Sequence, residues 1–181
     1  MNSSYNNNIN FGDIISTVTF MNKPQKIVEC GILEGYSLSK FIESSSSNTS
    51  IDAYDIFDKF NGNHAIKDKI INQFSTYENV TIQYGDFYNV LKKYPDKSID
   101  ILHIDIANNG DVYEYMFENY VNKVKDDGII LMEGGSHQRD NIKWMIKYNK
   151  PKIQPILKKW SKIYNIKTIG DIPSITLIKN K

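Results

Sequence analysis

Three side chains that could accept or donate a proton lie at or just after the ends of two apolar runs in the second half of the chain. Asp105 lies near the end of the run Ile99–Ile106, Glu133 ends the run Ile129–Glu133, and His137 comes four residues later. Carboxylates and imidazoles act as general acids or bases when their pKa lies near the operating pH. If the two runs are neighbouring strands, their ends bring these groups towards one site. We take all three as candidate catalytic residues.

A pair of glycines stands where an earlier apolar run meets a helical segment. The run Lys26–Cys30 leads into Gly-Ile-Leu-Glu-Gly-Tyr-Ser, in which Gly31 and Gly35 lie four residues apart. Glycine allows a tight turn and a close approach of the backbone to a ligand, and the helix that follows offers free N–H groups. The spacing does not match the dinucleotide fingerprint G-x-G-x-x-G. The turn could therefore bind a ligand or serve packing alone.

Two further turns carry acidic residues. Asp55 comes 24 residues after Gly31, at the end of the next predicted strand. A carboxylate there can accept both protons of a ribose diol, although it could instead cap a helix. Gly85, Asp86 and Phe87 follow the third predicted strand. The acid and the ring could bind the edge and face of an adenine, or form a turn before a core phenylalanine.

Apolar periodicity places these residues at strand ends in an alternating pattern of strands and helices. Strands are predicted at Lys26–Cys30, Ile51–Ile56, Val80–Tyr84, Ile99–Ile106, Ile129–Glu133, Ile166–Ile169 and Ser174–Lys179. Helical segments are predicted over residues 14–21, 37–43, 63–77, 90–93, 112–125, 140–148 and 153–164.

This alternation predicts an α/β fold: a doubly wound, mostly parallel seven-stranded sheet with helices on both faces. The short link between the last two strands predicts a C-terminal antiparallel hairpin at one edge. In such a sheet a ligand binds at the carboxyl ends of the strands, where the strand order reverses. The three turns and the candidate catalytic residues all fall at that end.

Taken together, the motifs resemble the class I S-adenosylmethionine-dependent methyltransferases. The match consists of E-x-G-x-x-x-G-x-S at Glu29–Ser37, the acid at Asp55, G-D-F at Gly85–Phe87, I-D-I-L-H-I-D at Ile99–Asp105 and D-D-G-I-I-L-M-E at Asp126–Glu133. The stretches I-D-A-Y-D-I-F-D and H-I-D are similar to a bacterial subgroup of small-molecule and sugar O-methyltransferases. The resemblance spans residues 25–179 and implies a Rossmann-like methyltransferase fold.

The resemblance implies S-adenosyl-L-methionine as the cofactor. Its methionine half would lie against the acid and the two glycines of the first turn, its ribose against the acid after the second strand, and its adenine against the Asp-Phe pair. The residues implied in cofactor binding are Glu29, Gly31, Glu34, Gly35, Ser37, Asp55, Ile56, Asp86, Phe87 and Asp105. Asp105 would lie beside the methionine amine and the acceptor, which leaves Glu133 or His137 as the candidate base.

The chain departs from the pattern of metal-dependent relatives in two places. Those relatives carry an acid after the fourth strand and Asp-Asp or Asp-Asn after the fifth, whereas this chain has Glu133 followed by two glycines after the fifth. We therefore expect no metal site, although Asp105, Glu133 and His137 could hold Mg²⁺ or Mn²⁺, which favour oxygen ligands. The stretch after Asp105 also lacks the further acid and histidine of relatives. We expect Asn108, Asn109 and Asp111 to line the acceptor site.

Composition limits the partners. The 181 residues include 22 Lys and Arg against 21 Asp and Glu, a formal net charge of +1, which argues against a nucleic-acid partner. One cysteine excludes a disulfide framework, and no apolar run approaches the ~18 residues of a membrane span. We expect one cytoplasmic domain over residues 1–181, flexible at 1–10 and without membrane or nucleic-acid partners. The acceptor site of so short a chain would be open, or completed by the second subunit of a homodimer.

Cationic contacts are restricted as well, because Arg139 is the only arginine. Almost every cationic contact to a ligand must come from lysine, a point charge without the bidentate fork of arginine. The pairs Lys92-Lys93 and Lys158-Lys159 could guide a phosphorylated acceptor or form solvated faces.

The favoured hypothesis is O-methylation of a small polar acceptor, such as a sugar, nucleotide-linked or phosphate-containing precursor of a cell-surface polysaccharide. One alternative is a cofactor-binding partner subunit without catalysis. A second is a nucleotide- or NAD-binding oxidoreductase, against which the missing G-x-G-x-x-G argues.

Overall fold

The computed structural model describes residues 10–59, 63 and 65–181. The segment expected to be flexible, residues 1–10, lies outside the described residues except for Asn10. The helices are α1 (Phe11–Asn22), α2 (Tyr36–Ser44), α3 (Lys67–Gln73), α4 (Phe87–Val90), α5 (Gly110–Asn119), α6 (Lys143–Lys147) and α7 (Ile153–Trp160). The strands are β1 (Lys26–Cys30), β2 (Ser50–Asp55), β3 (Val80–Tyr84), β4 (Ile99–Ile104), β5 (Val124–Glu133), β6 (Tyr164–Gly170) and β7 (Ser174–Asn180).

The strands form one sheet in the order β3-β2-β1-β4-β5-β7-β6. All neighbouring pairs are parallel except those of β7, which runs antiparallel to both β5 and β6. The predicted mostly parallel seven-stranded sheet and the C-terminal antiparallel hairpin are therefore confirmed. The strand order reverses between β1 and β4, and a ligand cleft is expected at the carboxyl ends of these two strands.

Two apolar layers cover the two faces of the sheet. Because side chains alternate along a strand, Val28, Leu102 and Ile130 pack on one face with residues of α5 and α7. Their neighbours Ile27 and Ile101 pack on the other face with residues of α1, α2 and α3. The predicted helices on both faces are confirmed. Among the described residues, none of the helices combines the length with the apolar character that a membrane span requires.

The first helix shows how local chemistry sets the element bounds. The side chain of Asn10 accepts a hydrogen bond from the N–H of Gly12, which satisfies one of the free donors at the helix start. The helix ends where Lys23 takes a left-handed conformation, with φ 45°, just before Pro24. The neighbouring α2 packs against this helix.

One predicted helix, over residues 112–125, was wrong in its C-terminal part. Helix α5 ends at Asn119, a short 3-10 turn follows at Val121–Lys123, and β5 begins at Val124. The register between β4 and β5 shifts between Ile99 and Ile101, which lets the stretch before Gly128 join the sheet as an irregular extension. The strand therefore begins five residues before the predicted start at Ile129.

A second difference lies between Gly135 and α7, where residues 140–148 were predicted to be one helix. Only Lys143–Lys147 is α-helical, because Arg139–Asn141 forms a 3-10 turn and Ile142 after it is extended, with ψ 154°. The carboxylate of Asp140 has a partner elsewhere in the chain. It accepts the N–H of Ile153 at 2.7 Å and that of Gln154 at 2.9 Å. Asp140 thereby caps α7 from a distance in sequence and holds the start of that helix beside the end of β5.

Candidate active site

A cleft of about 750 Å³ opens at the carboxyl ends of β1, β2, β3, β4 and β5. This volume lies in the range of roughly 300–1,000 Å³ typical of ligand pockets. The cleft spans the point where the strand order reverses, as expected for this sheet. Most of the residues singled out from the sequence line it, namely Gly31, Glu34, Ser37, Asp55, Ile56, Asp86, Phe87, Asp105 and Glu133.

The first turn depends on the absence of a side chain at Gly31. Gly31 has φ +95°, and a Cβ atom there would lie 1.8 Å from the carbonyl oxygen of Asp105. The N–H of Asp105 also donates to the carbonyl of Cys30 at 2.9 Å. The loops after β1 and β4 are thus in backbone contact, and this contact needs glycine. Gly35, with φ +81°, begins α2 and packs on Phe74.

Asp55 holds the same turn from the other side. One carboxylate oxygen accepts the N–H groups of Ile32 at 2.7 Å and Leu33 at 3.1 Å. The other accepts the N–H of Phe57 and the side-chain amide of Asn63, both at 2.7 Å. Asp55 is 6% exposed, and an ionised carboxylate offers about four acceptor positions. The protein itself occupies these positions, so Asp55 orders the first turn.

Glu29 lies behind the first turn, fully buried and not among the described residues that line the cleft. One of its oxygens accepts a hydrogen bond from the Ser37 hydroxyl and lies 2.9 Å from His103 Nδ1. Burial would lower the pKa of His103, but the hydrogen bond to Glu29 and its charge raise that pKa above its ordinary value. A protonated His103 would balance the buried carboxylate. Ser37 and His103 both line the cleft and connect Glu29 to it.

In the third turn the two residues of the Asp-Phe pair differ in exposure. Asp86 caps α4 by accepting the N–H of Tyr88 at 3.0 Å. Phe87 is 4% exposed and meets Tyr88, Tyr115 and Tyr120 edge to face, with ring centroids 5.0–5.8 Å apart. The aromatic ring that this turn exposes in the cleft is therefore that of Tyr88, which is 39% exposed.

Asp105 combines access to the cleft with a raised pKa. The residue is exposed towards the cleft, and the cleft walls partly desolvate its carboxyl group. This desolvation raises the pKa of Asp105 to about 6. The negative charges of Glu133 and Glu29 raise it as well, whereas the charge of His103 lowers it. A carboxyl group with this pKa can change protonation state near neutral pH, as a general base must.

Glu133 is held by Arg139, a residue to which the sequence analysis assigned no role. Arg139 Nε donates to Glu133 Oε1 at 2.8 Å, and Nη2 donates to Oε2 at 3.2 Å. The same Nη2 donates to the carbonyl of Asn108 at 3.2 Å, and the guanidinium lies 5.7 Å from the Trp144 ring centroid. The bidentate contact uses the planar fork that lysine lacks. The only sequence signal was that a lysine-rich chain keeps one arginine, six residues after the acid.

Comparison with known families agrees with this geometry. Residues 28–133, more than half of the chain, match a family profile described as Methyltransferase domain. The chain belongs to the methyltransferase-domain family. The family inferred from the sequence motifs is thereby confirmed. A comparison with curated proteins finds no match.

Solved structures with this fold include several methyltransferases. The SAH-bound methyltransferase PaMTH1 of Podospora anserina has a TM-score of 0.67 at 17% identity and covers 94% of this chain and 78% of its own. The O-methyltransferase of Bacillus cereus in complex with SAH has a TM-score of 0.69 at 15% identity, covering 98% and 84%. A methyltransferase from Geobacter sulfurreducens has a TM-score of 0.64 at 16% identity, covering 93% and 77%. These likenesses confirm the Rossmann-like methyltransferase fold.

The three candidate catalytic residues of this methyltransferase are not all brought together. Asp105 and Glu133 line the cleft, whereas His137 is exposed on the loop after β5 and is not among the described lining residues. Both oxygens of Glu133 are bound by Arg139. Among the described residues no group of three or more His, Cys, Asp or Glu side chains could hold a metal ion. The donor set named above for Mg²⁺ or Mn²⁺ therefore does not fit a divalent ion.

On the acceptor side the methyltransferase uses its asparagines mainly for structure. Asn109 lines the cleft, but its side-chain oxygen accepts the N–H of Asp111 at 2.8 Å and so caps α5. Asn108 donates its amide to the carbonyls of Ile104 at 3.0 Å and Glu133 at 2.9 Å. Asp111 is exposed on the first turn of α5.

Among the described residues, the lysine that lines this methyltransferase cleft belongs to neither of the pairs named from the sequence. Lys150, in the loop between α6 and α7, is a lining residue that no strand-end spacing signalled. Lys92 donates to Asn89, and Lys93 lies 4.4 Å from the ring centroid of Tyr54. The other pair, Lys158-Lys159, falls on the last turn of α7.

Proposed function

We propose that the protein is an S-adenosylmethionine-dependent O-methyltransferase that acts on a small polar acceptor. The observation that carries this proposal is the cleft at the reversal of strand order, where the glycine turn after β1 meets Asp105 after β4. Membership of the methyltransferase-domain family supports it. Two relatives of the same fold are bound to SAH, which supports the choice of cofactor.

The residues of the cleft fit S-adenosylmethionine. This molecule carries a positive ammonium group, a positive sulfonium group, a ribose and an adenine. Three carboxylates line the cleft on the β1, β3 and β4 sides, those of Glu34, Asp86 and Asp105. Ile32 and Ile56 also line the cleft and offer apolar contacts to the flat base. Opposite charges in a cleft of limited solvent access favour binding of such a cation.

The reaction places two demands on the protein. S-adenosylmethionine supplies an already activated methyl group, so the protein must orient the acceptor and remove the proton from its hydroxyl. Asp105 suits the second task, because its carboxylate faces the cleft and its pKa is raised to about 6. Glu133 borders the acceptor side, where Arg139 holds the orientation of its carboxylate. We propose that Asp105 accepts the proton and that Glu133 orients the acceptor.

Replacement of Asp55 by alanine tests the cofactor site. Four donors would lose a charged acceptor, and hydrogen bonds to charged groups are worth about 1.5–3 kcal/mol. We expect the free energy of unfolding to fall by about 2 kcal/mol and the Kd for S-adenosylhomocysteine to rise about tenfold. Urea unfolding and calorimetry measure the two quantities. Asp55→Asn keeps one acceptor oxygen, so its stability and its affinity for S-adenosylhomocysteine should lie between those of the wild type and Asp55→Ala. A loss of affinity at unchanged stability would instead indicate that Asp55 contacts the ribose directly.

Replacement of Glu133, or of its partner Arg139, tests the role of this pair on the acceptor side. Arg139→Lys keeps the charge but loses the bidentate fork, and a weakened charged hydrogen bond of ~1.5 kcal/mol corresponds to about a tenfold fall in turnover. We expect Glu133→Gln and Arg139→Lys to lower kcat while the Kd for S-adenosylhomocysteine changes less than about twofold. His137→Ala gives the comparison, because normal turnover in that variant would remove His137 from the mechanism. Equal losses of kcat and cofactor affinity at Glu133 would contradict the assignment.

The acceptor is the finer part of the proposal. We propose a sugar, nucleotide-linked or phosphate-containing precursor of a cell-surface polysaccharide. Calorimetry with S-adenosylhomocysteine and with NAD separates the cofactor classes, since binding of NAD alone would favour an oxidoreductase. Methyl transfer to such precursors then separates an enzyme from a cofactor-binding subunit without catalysis.

A further inference from the structure

Charge is divided unevenly along the chain, and the net charge of +1 conceals this division. Residues 141–181 contain ten lysines and one acid, Asp171, a net charge of +9. The first 140 residues contain twenty acids against eleven lysines and Arg139, a net charge of −8. The cofactor side of the cleft belongs to the acidic part and Lys150 to the basic part. A nearly neutral total therefore does not mean an evenly neutral surface.

The ten lysines of the basic part are all exposed. In the part of the chain that the structure describes, only Lys159 among them lies within ion-pair distance of a carboxylate, that of Glu114. Five lysines of the first 140 residues, by contrast, have such a partner: Lys26, Lys40, Lys97, Lys123 and Lys125. The charge of the C-terminal lysines is thus available to an external anion.

Nine of these ten lysines lie towards one or the other end of the sheet, and Lys167 lies in the middle of β6. Strand β7 starts at the cleft end, where the N–H of Gly134 donates to the carbonyl of Ser174, and it finishes at the opposite end, where Asn180 pairs with Tyr164. Lysines near that far end are Lys158, Lys159, Lys162, Lys179 and Lys181. Helix α6 and the loop to α7 carry the other group, Lys143, Lys147, Lys150 and Lys152. A hydrogen bond from the N–H of Gly110 to the carbonyl of Pro151 holds this loop at the cleft end of the sheet.

The backbone around Lys150 is fixed on both sides. Its own N–H donates to the carbonyl of Met145 at 2.9 Å, and Asn149 before it has φ 45°. Its ammonium group lies 5.8 Å from the ring centroid of Trp144. The nearby N–H groups at the start of α7 are already bound by Asp140. An anion at this place would therefore meet the ammonium group of Lys150, while the N–H groups of Ile153 and Gln154 are already bound.

The opposite wall does not repel an anion, because the carboxylate of Glu133 is paired with Arg139 at 2.8 Å. Charge therefore differs between the two ends of the cleft. Among the described residues, the carboxylates of Glu34, Asp86 and Asp105 at the cofactor end have no ion-pair partner, nor does the ammonium group of Lys150 at the acceptor end. This charge distribution attracts a cationic cofactor to one end of the cleft and an anionic acceptor to the other. It also disfavours binding of either molecule at the wrong end.

We propose that Lys150 forms an anion subsite that binds a phosphate group of the acceptor, and that the charges of Lys143, Lys147 and Lys152 on the same segment make the local potential more positive. Lysine binds phosphate as a point charge and needs no bidentate geometry. This inference rests on the proposed methyltransferase function and narrows its substrate class to phosphorylated small molecules. The phosphate would stay at the mouth of the cleft while the hydroxyl to be methylated lies near Asp105.

The test uses the full chain, with inorganic pyrophosphate as the probe, titrated by calorimetry in the presence and absence of saturating S-adenosylhomocysteine. We expect binding that weakens as salt is raised. Lys150→Gln should raise the Kd for pyrophosphate about fivefold, which corresponds to ~1 kcal/mol, and Lys150→Glu should raise it further. The matched control Lys162→Gln, an exposed lysine at the far end of the sheet, should leave the Kd unchanged.

Several outcomes would overturn the subsite. One is the absence of pyrophosphate binding by the wild-type protein, and another is an equal loss in Lys150→Gln and Lys162→Gln. A third outcome comes from a titration with single-stranded RNA of about 20 nucleotides. If the RNA binds more tightly than pyrophosphate, and if Lys150→Gln and Lys162→Gln weaken its binding equally, the lysines form a diffuse nucleic-acid surface. Unchanged S-adenosylhomocysteine affinity in Lys150→Gln shows that the variant is folded. If pyrophosphate distinguishes the variants but S-adenosylhomocysteine does not bind, the subsite stands and the proposed methyltransferase function fails.

Discussion

Gly31→Ala is expected to lower the free energy of unfolding by about 4 kcal/mol, a loss that few single substitutions reach. Two costs add together. A non-glycine residue at φ +95° is strained by about 1–2 kcal/mol, and the new Cβ would lie 1.8 Å from the Asp105 carbonyl oxygen. Because that neighbour is backbone, relief requires the loops after β1 and β4 to separate. Urea unfolding measures the loss.

Gly134→Ala is the matched control for this experiment. Gly134 has a similar φ of +91°, but the nearest atom to its added Cβ is the side-chain Cδ1 of Ile153 at 3.1 Å. We expect this variant to lose about 1–2 kcal/mol from the backbone strain alone. Equal losses in the two variants would show that the contact between Gly31 and Asp105 does not matter. Separation of the loops would also displace Asp105, so Gly31→Ala should lose turnover even where it remains folded.

Asp105→Asn is expected to reduce kcat by about 10²-fold or more, the usual contribution of a general base. The amide keeps the size of the side chain and removes its ability to take a proton. The Kd for S-adenosylhomocysteine should change much less than kcat, which separates proton transfer from cofactor binding. Equal losses in both quantities would indicate that Asp105 acts only on the cofactor amine.

The pH dependence of turnover gives a second measure of the same role. Desolvation raises the pKa of Asp105 to about 6, and only the ionised carboxylate can accept a proton. The rate should therefore rise with pH through about 6 and level off above it. His103 lies near Asp105 and also has a raised pKa, so the pH profile alone does not assign the group. Loss of the inflection in Asp105→Asn, and its retention in Glu133→Gln, would assign it to Asp105.

Local sequence was sufficient for the strands and for the end of the sheet that carries the site. Strands β1 and β3 have the predicted bounds, because short β-rich runs closed by glycine leave little choice of conformation. In the central strand β1 the residues from Ile27 to Cys30 are all buried, as a strand covered on both faces requires, whereas β3 lies at the sheet edge and has no buried residue. The turns after these strands had to meet at one edge once the strands were parallel. The cleft could therefore be predicted without coordinates.

The bounds of several helices were less predictable, because tertiary contacts compete with local preference. The stretch before Gly128 has a helical pattern, but it pairs with β4 across an irregular register. Asp140 could begin a helix, yet its carboxylate caps α7 at Ile153 and Gln154. Each outcome depends on a partner that is distant in sequence, which periodicity does not contain.

Strand-end spacing in the sequence predicted the sheet and most of the cleft residues, and the resemblance of the motifs to known methyltransferases indicated the family. What each group can still bind depends on tertiary contacts. Asp55 is engaged by four donors, and Glu133 is held by Arg139. Lys150 joins the cleft from a loop 17 residues beyond Glu133. Hydrogen-bond saturation, charge pairing and solvent access depend on neighbours in space, and those neighbours exist only after the chain has folded.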